Sequence, residues 1–305
     1  MIAIGRSRLL YNSIKYLSER GYTFNTIITD VAYKEYDIKE DDFKKLALKI
    51  DARFFLTKNL SDPEIIGLIS GGNIDIALSV NWGYKIEYSF ISLFKNGILN
   101  LHLGNLPDYK GNATPNWAIL NGEKFIYANV HKVDIDLDAG DILSRTKIEI
   151  NENTYVADIL SDACKVAPLL FEEAINKIRA NPNYFIEAGS KKGLRCYPRL
   201  PEYNQINWFD SGENILRLIR ASSRPYSGAF SFLDNKKIII WKSNIVRPEN
   251  SFLAVPGHIV QINKESGSIF VACKDSFIEV TEIEVENDIL KPASFLKSIR
   301  LRFRS

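Results

Sequence analysis

Cysteine is scarce: Cys164, Cys196 and Cys273 are the only three in 305 residues. Odd in number and far apart, they build neither a disulfide framework nor a CxxC site, so a reducing, cytoplasmic setting is expected. Histidine is as rare. His102, His131 and His258 have no ligand-type spacing, so no metal is expected. No apolar run approaches the ~20 residues that span a bilayer, and MIAIG opens the chain without a secretory pattern. The dinucleotide fingerprint G-x-G-x-x-G is missing. Charge of one sign is missing too: 39 basic and 37 acidic side chains leave a net +2, which supplies no general field for nucleic acid or a membrane.

What remains is a chain 46% hydrophobic and 25% charged, with room for one large core and a smaller one. Met1–Gly5, NTIITD (25–30), FFLTK (54–58) and DIALSV (75–80) read as short strands. Between them lie helical patterns, one carrying Leu9, Leu10, Ile14 and Leu17, one at 38–50, and one opened by Asp62-Pro63-Glu64. That alternation implies an α/β fold, a mostly parallel sheet with flanking helices. A long amphipathic helix is expected from Thr154 to Ala180. Residues 181–205, rich in Pro, Gly and basic side chains, read as a surface linker between a first domain (1–180) and a second (206–305). FSFL, KIIIWKS, GHIVQIN, SIFVACK and FIEVTEIEV then give five short strands, as in a small β-barrel.

The chemistry concentrates in 97–141. GILNLHLG is an apolar run broken only by Asn100 and His102. Positions i and i+2 leave a strand on one face, so an amide and an imidazole point the same way just before a Gly/Pro-rich loop. VDIDLDAGD then places carboxylates, Asp138 among them, at a turn. Histidine carries protons near neutral pH, a carboxylate orients it, and a carboxamide N–H suits a developing oxyanion. Acyl transfer is within reach of such a trio. A lone strand histidine equally reads as a core residue, and Asp-Ala-Gly-Asp as an ordinary turn. His131 reads as structural, Arg6 and Arg8 as solvated. The loop Asn81-Trp82-Gly83-Tyr84 would lie where ligands gather on open α/β sheets, although Trp82 and Tyr84 would serve as well to cap the core.

N-L-H, then L-P-x-Y-K-G, P-N-W-A-I-L-N-G-E and L-D-A-G-D-I-L resemble, in order, the signature of the formyltetrahydrofolate-dependent formyltransferases. W-F-D-S, I-R-A-S-S-R-P-Y-S-G-A-F and K-K-I-I-I-W-K resemble that family's carboxyl-terminal domain. The resemblance implies a Rossmann-like first domain, an OB-like second one, and Asn100, His102 and Asp138 as catalytic residues. It implies N10-formyltetrahydrofolate as formyl donor, held around Asn81, Trp82, Gly83, Tyr84, Ile86 and Asp141. For the acceptor it implies Arg6, Ser7, Arg8, Lys110, Thr114 and Asn116. Asn116-Trp117 resembles the branch acting on nucleotide-linked amino sugars for surface polysaccharides such as the O-antigen, whose members suggest a homodimer. Methionyl-tRNA formyltransferase is the alternative; a folate-binding or interaction module without activity is the second. Two departures stand out. Tyr127 replaces a frequent glycine, and segment 31–45, VAYKEYDIKEDDFKK, mixes acids into the place where tRNA-acting members carry a basic insertion. Phosphate binding needs clustered positive charge, so no nucleic-acid partner is expected.

Overall fold

The computed structural model describes residues 1–249 and 252–304. In chain order its elements are β1 (Ile2–Gly5), α1 (Ser7–Glu19), β2 (Thr26–Thr29), α2 (Glu40–Lys49), β3 (Arg53–Leu56), α3 (Pro63–Gly71), β4 (Ala77–Val80), α4 (Tyr88–Ile91), β5 (Ile98–Leu103), β6 (Lys110–Gly111), α5 (Thr114–Asn121), β7 (Phe125–Lys132), β8 (Ile142–Glu149), α6 (Val156–Ala180), β9 (Arg195–Cys196), a 3-10 turn at Pro201–Asn204, α7 (Gly212–Ser222), β10 (Ala229–Leu233), β11 (Lys236–Val246), β12 (Ile259–Ile262), β13 (Ile269–Ala272), β14 (Phe277–Val285), β15 (Asp288–Leu290) and α8 (Pro292–Phe295). They form two compact units. The first holds Met1–Thr114, Phe125–Glu149 and Ile159–Tyr197; the second holds Pro115–Lys124, Ile150–Asp158 and Pro198–Ser305.

The first unit is built on a seven-stranded sheet in the order β3-β2-β1-β4-β5-β7-β8, parallel as far as β5. This is the α/β class that the alternating pattern implies. Both β1 and β4 are buried along their whole length, which is why they read as unbroken apolar runs. Helix α1 lays Leu9, Leu10, Ile14 and Leu17 into the core at helical spacing. The strand order reverses at β1, which has β2 on one side and β4 on the other. Ligands of open α/β sheets bind beyond the carboxyl ends of strands at such a reversal. Gly5 ends β1 there with φ 130°, and a Cβ on it would come within 1.9 Å of Val80 O. Only glycine fits that approach.

Beyond β5 the chain turns back. β7 runs antiparallel to β5 with Asn100 opposite His131 and His102 opposite Asn129, and β8 is antiparallel to β7. All four side chains therefore leave one face.

The expected linker is tied down over much of its length, which corrects the sequence reading of 181–205. Ile186 N–H donates to Ile142 O at 2.8 Å, Ile142 N–H returns a bond to Glu187 O at 3.0 Å, and β9 pairs in parallel with β6. Gly189 N–H reaches Asp141 Oδ1 at 2.8 Å, and Leu194 N–H reaches Asp108 Oδ1 at 2.6 Å. The segment through Tyr197 belongs to the first unit.

The second unit is an antiparallel sheet in the order β10-β11-β14-β13-β12, with β15 added to β14. Bridges from Arg304 to Phe232 and from Arg302 to His258 carry the tail across from the first strand to the approach of the last. Trp208 and Phe303, both fully buried, stack with centroids 5.5 Å apart in its core.

Candidate active site

Strand β5 carries Asn100 and His102 on one face, and the turn after β7 brings Asp138 beside them. His102 is 7% exposed. Its Nε2 lies 2.7 Å from Tyr109 O and its Nδ1 3.5 Å from Asp138 Oδ2. A carbonyl can only accept, so Nε2 carries the proton of the neutral ring, and the lone pair sits at Nδ1 on the Asp138 side. Burial lowers the His102 pKa from its ordinary value, against the raising pull of Asp138, so the ring is neutral at neutral pH.

Asp138 adopts a left-handed backbone at φ 46°, and Gly140 behind it packs so closely that a Cβ would meet Lys132 O at 1.9 Å. Its Oδ2 accepts the Gly111 N–H at 2.8 Å, and its Oδ1 lies 3.5 Å from His131 Nε2. Burial alone would raise the Asp138 carboxyl, but His102, His131 and the Gly111 N–H outweigh it and hold the group well below the usual carboxylate range.

His131, read from the sequence as structural, lies against the trio. Its Nε2 lies 3.1 Å from Asn100 Nδ2, inside the constellation, and its Nδ1 faces Lys132 O at 2.8 Å. The alternation in YANVHK, with Tyr127, Asn129 and His131 on one face, was the available signal. The Tyr109 carbonyl and Gly111 N–H are backbone groups that no residue pattern exposes.

The other expected site residues divide. Asn81, at φ 54°, donates from Nδ2 to Ser7 Oγ at 3.0 Å, and Tyr84 donates its hydroxyl to Asp30 Oδ2 at 2.7 Å. Trp82 stands edge-on to Tyr84, centroids 5.4 Å apart, and its Nε1–H is buried without a partner. Gly83 lies against Arg6, where a Cβ would meet Nη2 at 2.4 Å. Ile86 points into the apolar core with Phe90, Phe94 and Ile98. Asp141 accepts the Gly189 N–H.

Arg6 is not solvated. Its side chain is 3% exposed, 3.5 Å from Asp30 Oδ2, bonded to Val31 O at 3.0 Å and stacked over Tyr33. It braces the ends of β1, β2 and β4. Ser7 is buried at φ 79°, while Arg8 is exposed and paired with Asp37. Lys110 is buried with Nζ on Ser190 O, and Thr114 donates its hydroxyl to Leu103 O. Asn116 belongs to the second unit, where Nδ2 donates to Ala221 O at 2.7 Å. Among the described residues no group of three or more His, Cys, Asp or Glu is placed to hold a metal ion, and no helix is long and apolar enough to cross a membrane.

An open α/β sheet here presents an amide, an imidazole and a carboxylate at its carboxyl edge, groups able to donate a hydrogen bond, move a proton and hold a charge. Residues 11–174 match the family model "Formyl transferase" and residues 200–300 match "Formyl transferase, C-terminal domain"; the chain belongs to the formyl transferase family. It is 30% identical over 273 residues to the bifunctional polymyxin resistance protein ArnA of Wigglesworthia glossinidia brevipalpis, covering 88% of this chain but 40% of that protein. It is 24% identical over 292 residues to the methionyl-tRNA formyltransferase of Ruminiclostridium cellulolyticum, covering 94% of this chain and 92% of that one. Its fold resembles the crystal structure of an N-formyltransferase from Helicobacter canadensis in complex with folinic acid and dTDP-3-aminofucose. The TM-score is 0.66 at 19% identity, over 92% of this chain and 98% of that one.

Proposed function

We propose that the protein transfers a formyl group from N10-formyltetrahydrofolate to the amine of a nucleotide-linked amino sugar, with Asn100, His102 and Asp138 as catalytic residues. The observation that carries it is the mutual placement of these three side chains at the carboxyl end of β5. The donor supplies an activated acyl carbon to the incoming amine. Asn100 fits that carbon's oxygen: Nδ2 has a second N–H beyond the one facing His131, and a positioned donor of this kind is worth about 10²–10³ in rate. His102 Nδ1, bare and neutral, takes the proton that the amine sheds, and can hand it on to the departing nitrogen. Asp138 sits beside Nδ1 and stabilises the imidazolium while it exists. The Gly111 N–H keeps Asp138 ionised for that task.

For the acceptor, support comes from the ArnA likeness, from the nucleotide-sugar named in the Helicobacter structure, and from segment 31–45. Glu40, Asp41 and Asp42 form the first turn of α2, and the Asp42 carboxylate accepts the Lys39 N–H at 2.9 Å. Three of the segment's five acids thus lie at the start of a helix, where negative charge is favourable, and its four lysines stand among those acids. A screen of nucleotide-linked amino sugars with formyltetrahydrofolate, read by mass spectrometry, should show a gain of one formyl group on at least one. Turnover of none would end this reading. The methionyl-tRNA formyltransferase likeness, which extends over nearly the whole of both chains, favours a second acceptor. Formylation of charged initiator tRNA together with a gel shift would establish it.

A further inference from the structure

Two imidazoles face Asp138, and the mechanism above uses only His102. His131 is 1% exposed, on β7 directly opposite Asn100. Its Nδ1 lies 2.8 Å from Lys132 O, an acceptor only, so the proton of the neutral ring belongs on Nδ1. Nε2 is then a bare lone pair. It faces the Asn100 carboxamide at 3.1 Å. An amide is nearly symmetric in outline, and its two ends differ only in what they offer: two N–H donors at one, two lone pairs at the other. With the oxygen end toward Nε2, lone pair would meet lone pair; with the nitrogen end there, a hydrogen bond forms. The ring therefore selects one of two orientations. The selected one keeps the –NH2 group, with its second N–H, at the edge of the site. Asp138 Oδ1 lies farther from Nε2 than the amide does, at 3.5 Å.

We infer that His131 is a positioning residue for the formyl transfer, holding the Asn100 carboxamide so that it offers an N–H, not a carbonyl, to the acyl oxygen. The inference rests on the proposed role of Asn100. Without His131 the amide turns freely, and in the wrong orientation its oxygen repels the charge it should stabilise. Asn100 then works for a fraction of the time or not at all.

Two measurements test this. Long-range proton–nitrogen correlation spectra of the full chain read the tautomer of each ring, and with three histidines in the sequence each signal is assigned by substitution. In its neutral form His131 should be protonated at Nδ1 and bare at Nε2; a neutral ring with its proton on Nε2 overturns the inference. This arm needs no acceptor, so it decides the point even if every amino sugar fails. The second arm uses whichever amine is turned over. His131→Leu should lower kcat about 10- to 100-fold, within the worth of one oxyanion donor. KM for the folate should stay within about twofold. His131→Gln, whose Oε1 can accept the same N–H, should restore most of the rate. The double variant Asn100→Ala/His131→Leu should be no slower than Asn100→Ala, because a residue acting only through Asn100 has nothing left to hold. Independent, multiplying losses, or equal damage from Leu and Gln, would place His131 outside this role.

Discussion

Asp138 accepts the Gly111 N–H and is 11% exposed, so its carboxylate is oriented before any substrate arrives. His102 depends on that charge only when it becomes an imidazolium. His102→Asn should therefore lose about 10²–10⁴-fold in kcat, the range for a positioned acid–base group. Affinity for the folate, measured by titration, should hardly change. A variant keeping most of its turnover would remove His102 from the mechanism. The same burial has a consequence for stability. An unfolded histidine titrates near pH 6.5, and in the folded chain His102 is lowered below that. Between the two values the unfolded state binds more protons, so stability rises with pH there and falls on acidification below about pH 6.5. Asp138, lowered as well, adds a second loss only below about pH 4, where unfolded carboxyls take up protons. Thermal unfolding from pH 7 to pH 5 should fall less steeply for His102→Asn than for the natural chain. Parallel curves would mean that His102 is not buried neutral.

At the scale of elements, the segment after α6 shows what a local pattern conceals. Its Pro, Gly and basic residues read as a connector because the partners of Gly189 and Leu194 are Asp141 and Asp108, far away in sequence. Pairing of β9 with β6 has no signature in either strand, each only two residues long. Arg6 was misread for the same reason: Asp30 and Tyr33, which bury it, lie on another strand end. By contrast, β5 and its polar face were legible, since a period of two is a local property. So was the alternation of strands and helices that builds the parallel sheet. His131 fell between these cases, visible as part of an alternating strand but meaningful only once β7 is paired with β5 in register. A testable point follows at Gly193, which has φ 127° and would put a Cβ 1.9 Å from Pro107 O. Gly193→Ala should destabilise by more than about 1 kcal/mol, because alanine is strained at that φ and the backbone must also move. Limited proteolysis should spare 185–197 in the natural chain and open it in the variant. Rapid cleavage of the natural chain there would mean that the segment is not held as described.

For the whole molecule, the question is which acceptor its charge can serve. Net charge is +2, and of the acids of 31–45 Glu40, Asp41 and Asp42 lie in the first turn of α2 while Asp37 pairs with Arg8. A nucleotide-sugar brings one diphosphate and releases few counterions on binding, so log kcat/KM should change only slightly with log salt. A tRNA acceptor would touch several phosphates. Its affinity would fall with a log–log slope near −0.9 for each duplex phosphate neutralised, about 10³-fold between 50 and 200 mM salt for six contacts. The two cases differ by orders of magnitude in one titration of rate against salt, with each acceptor present in turn. We expect the flat response with a nucleotide-sugar and negligible formylation of charged initiator tRNA at any salt. A steep salt dependence with tRNA, at a rate matching the best amino sugar, would move this chain to the tRNA-acting branch. That outcome would leave Asn100, His102 and Asp138 in their roles, because the transfer chemistry ends at the amine and does not sense what the amine is attached to.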